Sequence, residues 1–434
     1  MALLNLLLVK PNDLTNNNLI STGGLTSRLS ALPLQDMVLM KNLFESPNVA
    51  LLSDRILNAE SSRFVAQPYI PLETRPTFFL DDALIERMQY GNPGYQNLRE
   101  IYATGGGVDS QLHKLFYGPP YRYRIARFDN AYVTSDGLIH SNGEIFRNGG
   151  CLCSKEVSKD CFSNSNAPSY KKVISLTAMW SGEVWHFVAE ALASLVCLLD
   201  GENITSRQGN FSSLLFDNEI YLQVGRKNGF SLQWINLVLG DKFDASRIVE
   251  GDIFAEQLII PEMGRCGWPY AEQVLWLHNL ILSNLRNNFT GSSSTTRDRI
   301  VLIKRNSHRA VANYNELYNN IADYAALNNN ELYVHDDAAL PSVLEQLKAF
   351  NESATIIAPH GAGCINALAA NPGTTLIELF DENWLNLCFA GLAYKLQLNY
   401  YGLLMRPGAI VNIDQLNKIL ATKRHASKSA QLLA

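Results

Sequence analysis

Long apolar runs, basic tracts and the common nucleotide-loop fingerprints are missing from this sequence, and each absence narrows what it does. Leu3 to Val9 is apolar but too short to span a bilayer, and it has neither a basic leader nor a small-residue cleavage site. It reads as a strand, and no membrane span is expected. The expected location is cytoplasmic, or the Golgi or ER lumen if an anchor lies outside this chain. A net charge of −5 and no dense Lys/Arg run leave no footprint for nucleic acid. Cysteine is sparse and odd in number, seven in 434 residues, which predicts reduced thiols rather than a disulfide framework. Cys151, Cys153 and Cys161 cluster without a nearby fourth ligand, so a thiol-bearing loop is favoured over zinc. Four N-x-[ST] sequons, at Asn203, Asn210, Asn288 and Asn351, are what an asparagine-rich chain yields by chance and do not imply secretion. Neither GxGxxG nor GxxxxGK[ST] occurs, which removes the dinucleotide and P-loop fingerprints. There is no clean D-x-D pair; Asp81-Asp82 and Asp336-Asp337 are adjacent carboxylates, read as helix caps.

What is present centres on residues 353–380. Ala354 to Ala358 is an apolar β-branched run, Gly361-Ala362-Gly363 breaks it, Cys364 to Ala370 reads as helix, and Thr374 to Phe380 as a second strand. A strand, glycine turn, helix, strand unit implies two parallel strands with a right-handed crossover. The helix N-terminus then faces the carboxyl edge of the sheet, where unpaired N–H groups and the dipole suit an anion such as a diphosphate. The competing reading is a tight turn that needs glycine only for packing.

Around this unit the chain is expected to be α/β. Strands at Arg299 to Ile303 and Glu331 to His335 alternate with helices at Asn313 to Leu327 and Leu340 to Phe350, which argues a doubly wound parallel sheet. Upstream, Val173 to Met179 and Ile220 to Val224 read as strands, Ser231 to Leu239 and Tyr270 to Asn287 as helices. Glu183 to Leu199 has a helical core face carrying His186 and Glu190 one turn apart. Tyr121 to Phe146 alternates and holds Asp136-Gly137 and Asn142-Gly143, a hairpin signature. Gly105-Gly106-Gly107 reads as a turn or hinge, and Thr290 to Thr296 is linker in composition. The expected domains are a β-rich extension over 1–165, Rossmann-like domains over 166–290 and 298–410, and a terminal helix with a frayed tail over 411–434.

The ordered set Ile300 to Arg305 with Arg309 and Asn313, Glu345-Gln346, Pro359-His360-Gly361-Ala362-Gly363 with Asn366, and Ile377-Glu378-Leu379, preceded by Val184-Trp185-His186-Phe187 with Glu190, resembles glycosyltransferase family 61. Two features depart from the family pattern: Cys364 replaces the usual aliphatic residue, and the membrane anchor of the eukaryotic members is absent. The resemblance implies a GT-B fold of two Rossmann-like domains facing a cleft. It also implies inverting transfer of a xylose, arabinose or N-acetylglucosamine-class sugar from a UDP-sugar to a glycan or glycoprotein hydroxyl. Two other readings stay open: a catalytically inactive relative that binds glycan or nucleotide sugar, and an unrelated nucleotide-dependent enzyme on the same sheets.

In-line displacement at the anomeric carbon needs a base for the acceptor hydroxyl and charge neutralisation for the departing diphosphate. The expected base is His186 oriented by Glu190, with Glu183 second; the alternative for His186 is a structural core histidine. The expected nucleotide-sugar set is Arg305, Arg309, His360, Gly361, Ala362, Gly363, Asn366 and Glu378. In this set the arginines neutralise diphosphate and Glu378 accepts ribose hydroxyls, unless the arginines and Glu378 are solvated charges and His360 a packing residue. No metal or other cofactor is expected. A base in one half and a nucleotide site in the other predict reaction in an interdomain cleft that closes on nucleotide.

Overall fold

The alternating apolar segments of the C-terminal half form an all-parallel sheet in the computed structural model of the protein. It describes residues 37–39, 41–43, 46, 49–56, 77–91, 122–148, 156–158, 162, 166–199, 215, 217–264, 266–289 and 298–422. The expected Leu3–Val9 strand, the Gly105–Gly107 turn, the Thr290–Thr296 linker and Cys151, Cys153 and Cys161 lie outside those residues. The protein is α/β, and the chain divides into two units: Met1–Gln67 with Gly118–Leu280, and Pro68–Tyr117 with Ile281–Ala434.

The second unit carries the glycine turn. Its strands are β1 (Phe78–Leu80), β2 (Arg299–Lys304), β3 (Glu331–Asp336), β4 (Ser353–Pro359), β5 (Thr375–Phe380) and β6 (Asn399–Leu404), in the order β3-β2-β4-β5-β6-β1 with every pair parallel. All six residues of β5 are buried, as expected for a central strand covered on both faces. From β2 the chain steps outward to β3, then returns beside β2 as β4 and runs the other way through β5 and β6. The topological switch point therefore lies between the carboxyl ends of β2 and β4, the position at which open α/β sheets bind ligands.

Helices of this unit follow their local signals. α1 (Asp82–Gly91) is capped by Asp81, which accepts from the Ala83 N–H at 3.2 Å. α2 (Tyr314–Leu327) buries Leu317, Ile321 and Ala325, a stripe at i, i+4 and i+8. α3 (Val343–Asn351) starts with a Ser342/Glu345 capping box. α4 (Cys388–Lys395) and β6 complete the layer, and residues 413–422 form the expected terminal helix, burying Leu416 and Leu420.

The first unit is built on a nine-stranded mixed sheet. Ile248–Glu250, Ile220–Val224, Ser169–Ser175 and Ile253–Pro261 run parallel in that order, and the rest is mainly antiparallel, led by Arg122–Val133 against Ile253–Pro261. Asn142 and Gly143 have φ of 51° and 78°, the left-handed pair a tight hairpin turn requires. Strands within residues 1–165 are shared out. Ala50–Ile56 and Arg122–Val133 join the mixed sheet, whereas Phe78–Leu80 pairs with Tyr400 to Gly402 in the parallel one. Among the described residues no helix is long and apolar enough to cross a membrane.

One buried group sets a pH limit. His335, on β3, is 2% exposed, and its Nδ1 is buried with no hydrogen-bond partner. Burial pushes its pKa from 6.5 down to about 4, against the opposing pull of Asp337 and Asp336. The unfolded chain binds that proton first, so stability is full above the unfolded value and is lost as pH falls from 6.5 towards about 4. The expected loss is about 3 kcal/mol. In His335→Leu this part of the pH dependence disappears, which equilibrium unfolding at pH 7, 5.5 and 4.5 measures. Asp336 does not interfere, because its bond to Lys304 holds its pKa at about 2, below the window.

Candidate functional site

Two arginines flank the switch point. Arg305 follows β2 directly, and its Nη1 donates to the carbonyl of His360, 3.2 Å away at the end of β4. Gly361 lies under that guanidinium: a Cβ there would stand 1.5 Å from Arg305 Nη1. The glycine is needed for close approach, since its φ of 161° is extended backbone open to any residue. Arg309 is held at φ 64°, a left-handed conformation that costs a non-glycine residue energy and clusters at functional sites. Its guanidinium lies 5.2 Å from the ring of Trp384. Burial and the neighbouring Arg305 charge push the Arg309 pKa down, with Asp381 acting in the opposite sense. The Nε atoms of both arginines are buried without a partner, and neither guanidinium forms an ion pair with a described residue. Two cations close enough to perturb one another, with donors unspent, make a site for an anion of more than one charge.

The turn after β2 is pinned from below. Asp337 accepts from the backbone N–H of Asn306 at 2.9 Å, and the Asn306 amide is held by Asp336 and Asp337. These carboxylates were expected to cap a helix; instead they tie the arginine loop to the end of β3. The reason is register: Lys304 pairs with Asp336 across β2 and β3, so the two loops leave the sheet side by side.

Beneath the glycine turn lies a buried polar chain. His360 Nδ1 is hydrogen-bonded to Glu378 Oε1, and Tyr400 donates to Glu378 Oε2 at 2.6 Å. The His360 ring stacks on Phe380 at 5.4 Å and meets Phe389 edge-on at 5.3 Å. Glu378 is 0% exposed and both its oxygens are taken, so it orients His360 and has no oxygen left for ribose hydroxyls. An ionised carboxylate only accepts, so Nδ1 carries hydrogen and Nε2 is the nitrogen whose role varies. Burial drives the Tyr400 hydroxyl pKa well upward, with Glu378 adding to it, so Tyr400 stays a donor.

The residues after the turn are helical as expected, wound as a 3-10 helix over Ala362–Ala369. Gly363 faces Ile303 and His335, but a Cβ there would make only ordinary contacts at 3.4 and 3.6 Å, so close approach requires glycine at Gly361 and not at Gly363. Asn366 is buried and donates to Gln346 Oε1 at 3.1 Å on α3. Burial also pushes the Cys364 thiol pKa upward, so that side chain is an inert packing group. The structure thus brings Arg305, Arg309, His360, Gly361 and Ala362 to one sheet edge, with Glu378 behind them, and places Asn366 in the supporting layer. Tyr400 and Trp384 are additions the sequence reading missed.

In the first unit, the expected helix from Glu183 is present and changes its winding along its length, from one α turn (Val184–His186) to a π turn (Phe187–Ala191) and a 3-10 run (Leu192–Leu198). π turns recur at functional sites. His186 Nδ1 is 3.0 Å from Glu190 Oε2, and Glu190 Oε1 accepts the Gly267 backbone N–H at 2.7 Å. Glu190 is 5% exposed while the His186 side chain keeps 21%, so a fixed carboxylate holds a reachable imidazole. Glu183 sits at the N-cap position with no side-chain cap bond. Just before it, Trp180 has φ 69°. Cys266, next to Gly267, is disulfide-bonded, which corrects the expectation of reduced thiols; Cys197, Cys364 and Cys388 are free and buried. Spacing alone could not pair Cys266, because its chain neighbours offer no second cysteine. Among the described residues no group of three or more His, Cys, Asp or Glu is placed to hold a metal ion.

Residues 184–377, which span both the His186 turn and the arginine–glycine edge, match the family model described as Glycosyltransferase 61. This segment, a little under half of the chain, carries the similarity to glycosyltransferase family 61. Within that family segment lie all the expected site residues except Glu183 and Glu378, each one residue outside its ends. A curated relative, beta-1,2-xylosyltransferase RCN11 of Oryza sativa subsp. japonica, is 23% identical over 148 residues, 31% of this chain. The match spans 28% of that relative's own length. Two solved flavo di-iron protein mutants from Thermotoga maritima are similar at 11% identity, with TM-scores of 0.25 and 0.26, over 72% and 73% of this chain and 69% and 71% of theirs. Scores this low carry no argument about the fold.

Proposed function

We propose that this chain is a family 61 inverting glycosyltransferase that moves a sugar from a UDP-sugar to a hydroxyl of a glycan or glycoprotein, without a divalent metal. The observation that carries the proposal is Arg305 over the glycine turn with Arg309 beside it, two cations without an ion pair among the described residues, at the switch point of a parallel sheet. A departing UDP accumulates negative charge on its β-phosphate as the C1–O bond breaks, and two guanidiniums with the N–H groups at the start of the Ala362–Ala369 helix neutralise it. In this reading His360, oriented by Glu378, donates or accepts through Nε2 at the same edge, and Glu190 orients His186. The acceptor oxygen forms its bond to the anomeric carbon from the face opposite the diphosphate, its proton passes to His186 Nε2, and the C1–O electron pair leaves with UDP. The name of the rice relative favours xylose among the xylose, arabinose and N-acetylglucosamine class. The Cys266 disulfide favours an oxidising compartment over the cytoplasm.

Incubating the protein with UDP-xylose, UDP-arabinose and UDP-N-acetylglucosamine, with EDTA present, tests this through UDP release, because hydrolysis by water reports the same donor chemistry without a known acceptor. Release from one of the three at an EDTA-independent rate is expected. A rate at the uncatalysed level for all three, with UDP still bound, would favour the binding-protein reading.

A further inference from the structure

Beside the arginines stands a tryptophan that the proposed chemistry does not use. Trp384 lies in the loop between β5 and α4 and keeps 60% of its surface exposed, more than any other described tryptophan. The loop that carries it is built: the Trp384 N–H donates to the Asp381 carbonyl at 3.0 Å, and Asp381 Oδ1 accepts both the N–H and the amide of Asn383 at 2.8 and 2.9 Å. Arg309, in its left-handed conformation, sets its guanidinium 5.2 Å from the indole ring. Folding normally covers a ring this large, so an exposed one held in place by a half-buried cation calls for an occupant. The β5 loop follows the strand next to β4, so the indole stands at the same carboxyl edge as Arg305 and Gly361.

We infer that Trp384 is the stacking platform for the nucleobase of the donor, with Arg309 holding the indole on one side and the diphosphate on the other. The inference rests on the nucleotide-sugar reading above. A diphosphate bound by Arg305 and Arg309 carries a ring system at each end, and the planar, aromatic one is the base. Stacking on an exposed indole tolerates any base, so Trp384 contributes affinity, and discrimination among bases must come from elsewhere.

The test is titration of wild type, Trp384→Ala and Trp384→Phe with pyrophosphate, UDP and UDP-xylose. The side chain is exposed, so unchanged unfolding midpoints without ligand are expected for both variants. For Trp384→Ala, affinity for UDP and for UDP-xylose should fall by the same factor, roughly 5- to 150-fold, while pyrophosphate affinity is unchanged and Trp384→Phe recovers most of the loss. Three results would overturn it: equal UDP affinity in wild type and Trp384→Ala; a matching loss for pyrophosphate, which would make the indole only a prop for Arg309; or a loss confined to UDP-xylose, which would assign the ring to the sugar. If wild type binds no UDP at all, the nucleotide-sugar reading fails first and this one with it.

Discussion

His186→Ala is expected to lower the rate of UDP release from the donor by roughly 10²- to 10⁴-fold, with UDP affinity unchanged. The argument is the fixed geometry behind the imidazole. Glu190 is buried, tied at one oxygen to the Gly267 N–H and at the other to His186 Nδ1, so a fixed carboxylate orients the partly exposed ring. Removing the imidazole removes the proton acceptor but leaves the arginine edge, which belongs to the other unit, intact. Glu190→Gln should give a comparable loss, since with its oxygen on the Gly267 N–H the amide nitrogen can only donate to His186 Nδ1, which moves the ring hydrogen to Nε2, the atom that must accept. Initial rates with the donor that turns over, beside unfolding midpoints to confirm folding, measure both. A His186→Ala rate within a factor of two of wild type would leave the histidine a structural role only.

The second large effect is on binding. Arg305→Ala and Arg309→Ala should each weaken UDP by roughly 10- to 150-fold, because a charge-assisted bond to phosphate is worth about 1.5–3 kcal/mol. The double variant should lose more than either alone, short of the sum, as the two groups perturb each other. Gly361→Ala makes a finer test. Its methyl group would displace the flexible end of Arg305 rather than backbone, so stability should change little while UDP affinity falls towards that of Arg305→Ala. Titration calorimetry separates these outcomes; a Gly361→Ala protein that binds UDP as wild type does would show that the arginine need not lie over the turn.

How far the sequence foretold this depended on the range of the forces involved. The buried strands from Arg299 to Phe380 were legible within a residue or two, because a parallel strand covered on both faces needs a continuous apolar run. The hairpin at Asn142-Gly143 was legible because left-handed backbone needs those residues. The helix expected over residues 183–199 is present as a continuous helical stretch over 184–198, and only its winding was not legible: the π turn accompanies Glu190 being held by Gly267, 77 residues on in the chain. Glu378 misread as a ribose ligand because Tyr400, its second partner, stands on a strand the reading did not foresee. Phe78–Leu80 gave no usable signal at three residues, since its place depends on pairing with Tyr400 to Gly402. The Cys266 disulfide and the Trp384–Arg309 contact are likewise tertiary facts with no local signature.

The most direct measurement is thermal unfolding of the wild-type protein with UDP, GDP and CMP, each with and without EDTA. Ligand at about a hundred times its dissociation constant adds about 2.7 kcal/mol, enough to raise the midpoint by several degrees in a chain this size. The expected result is a rise with UDP that EDTA does not alter and that Arg305→Ala abolishes. No rise with any nucleotide would contradict the reading of the arginine–glycine edge as a nucleotide site, and a rise that EDTA removes would contradict the metal-free mechanism.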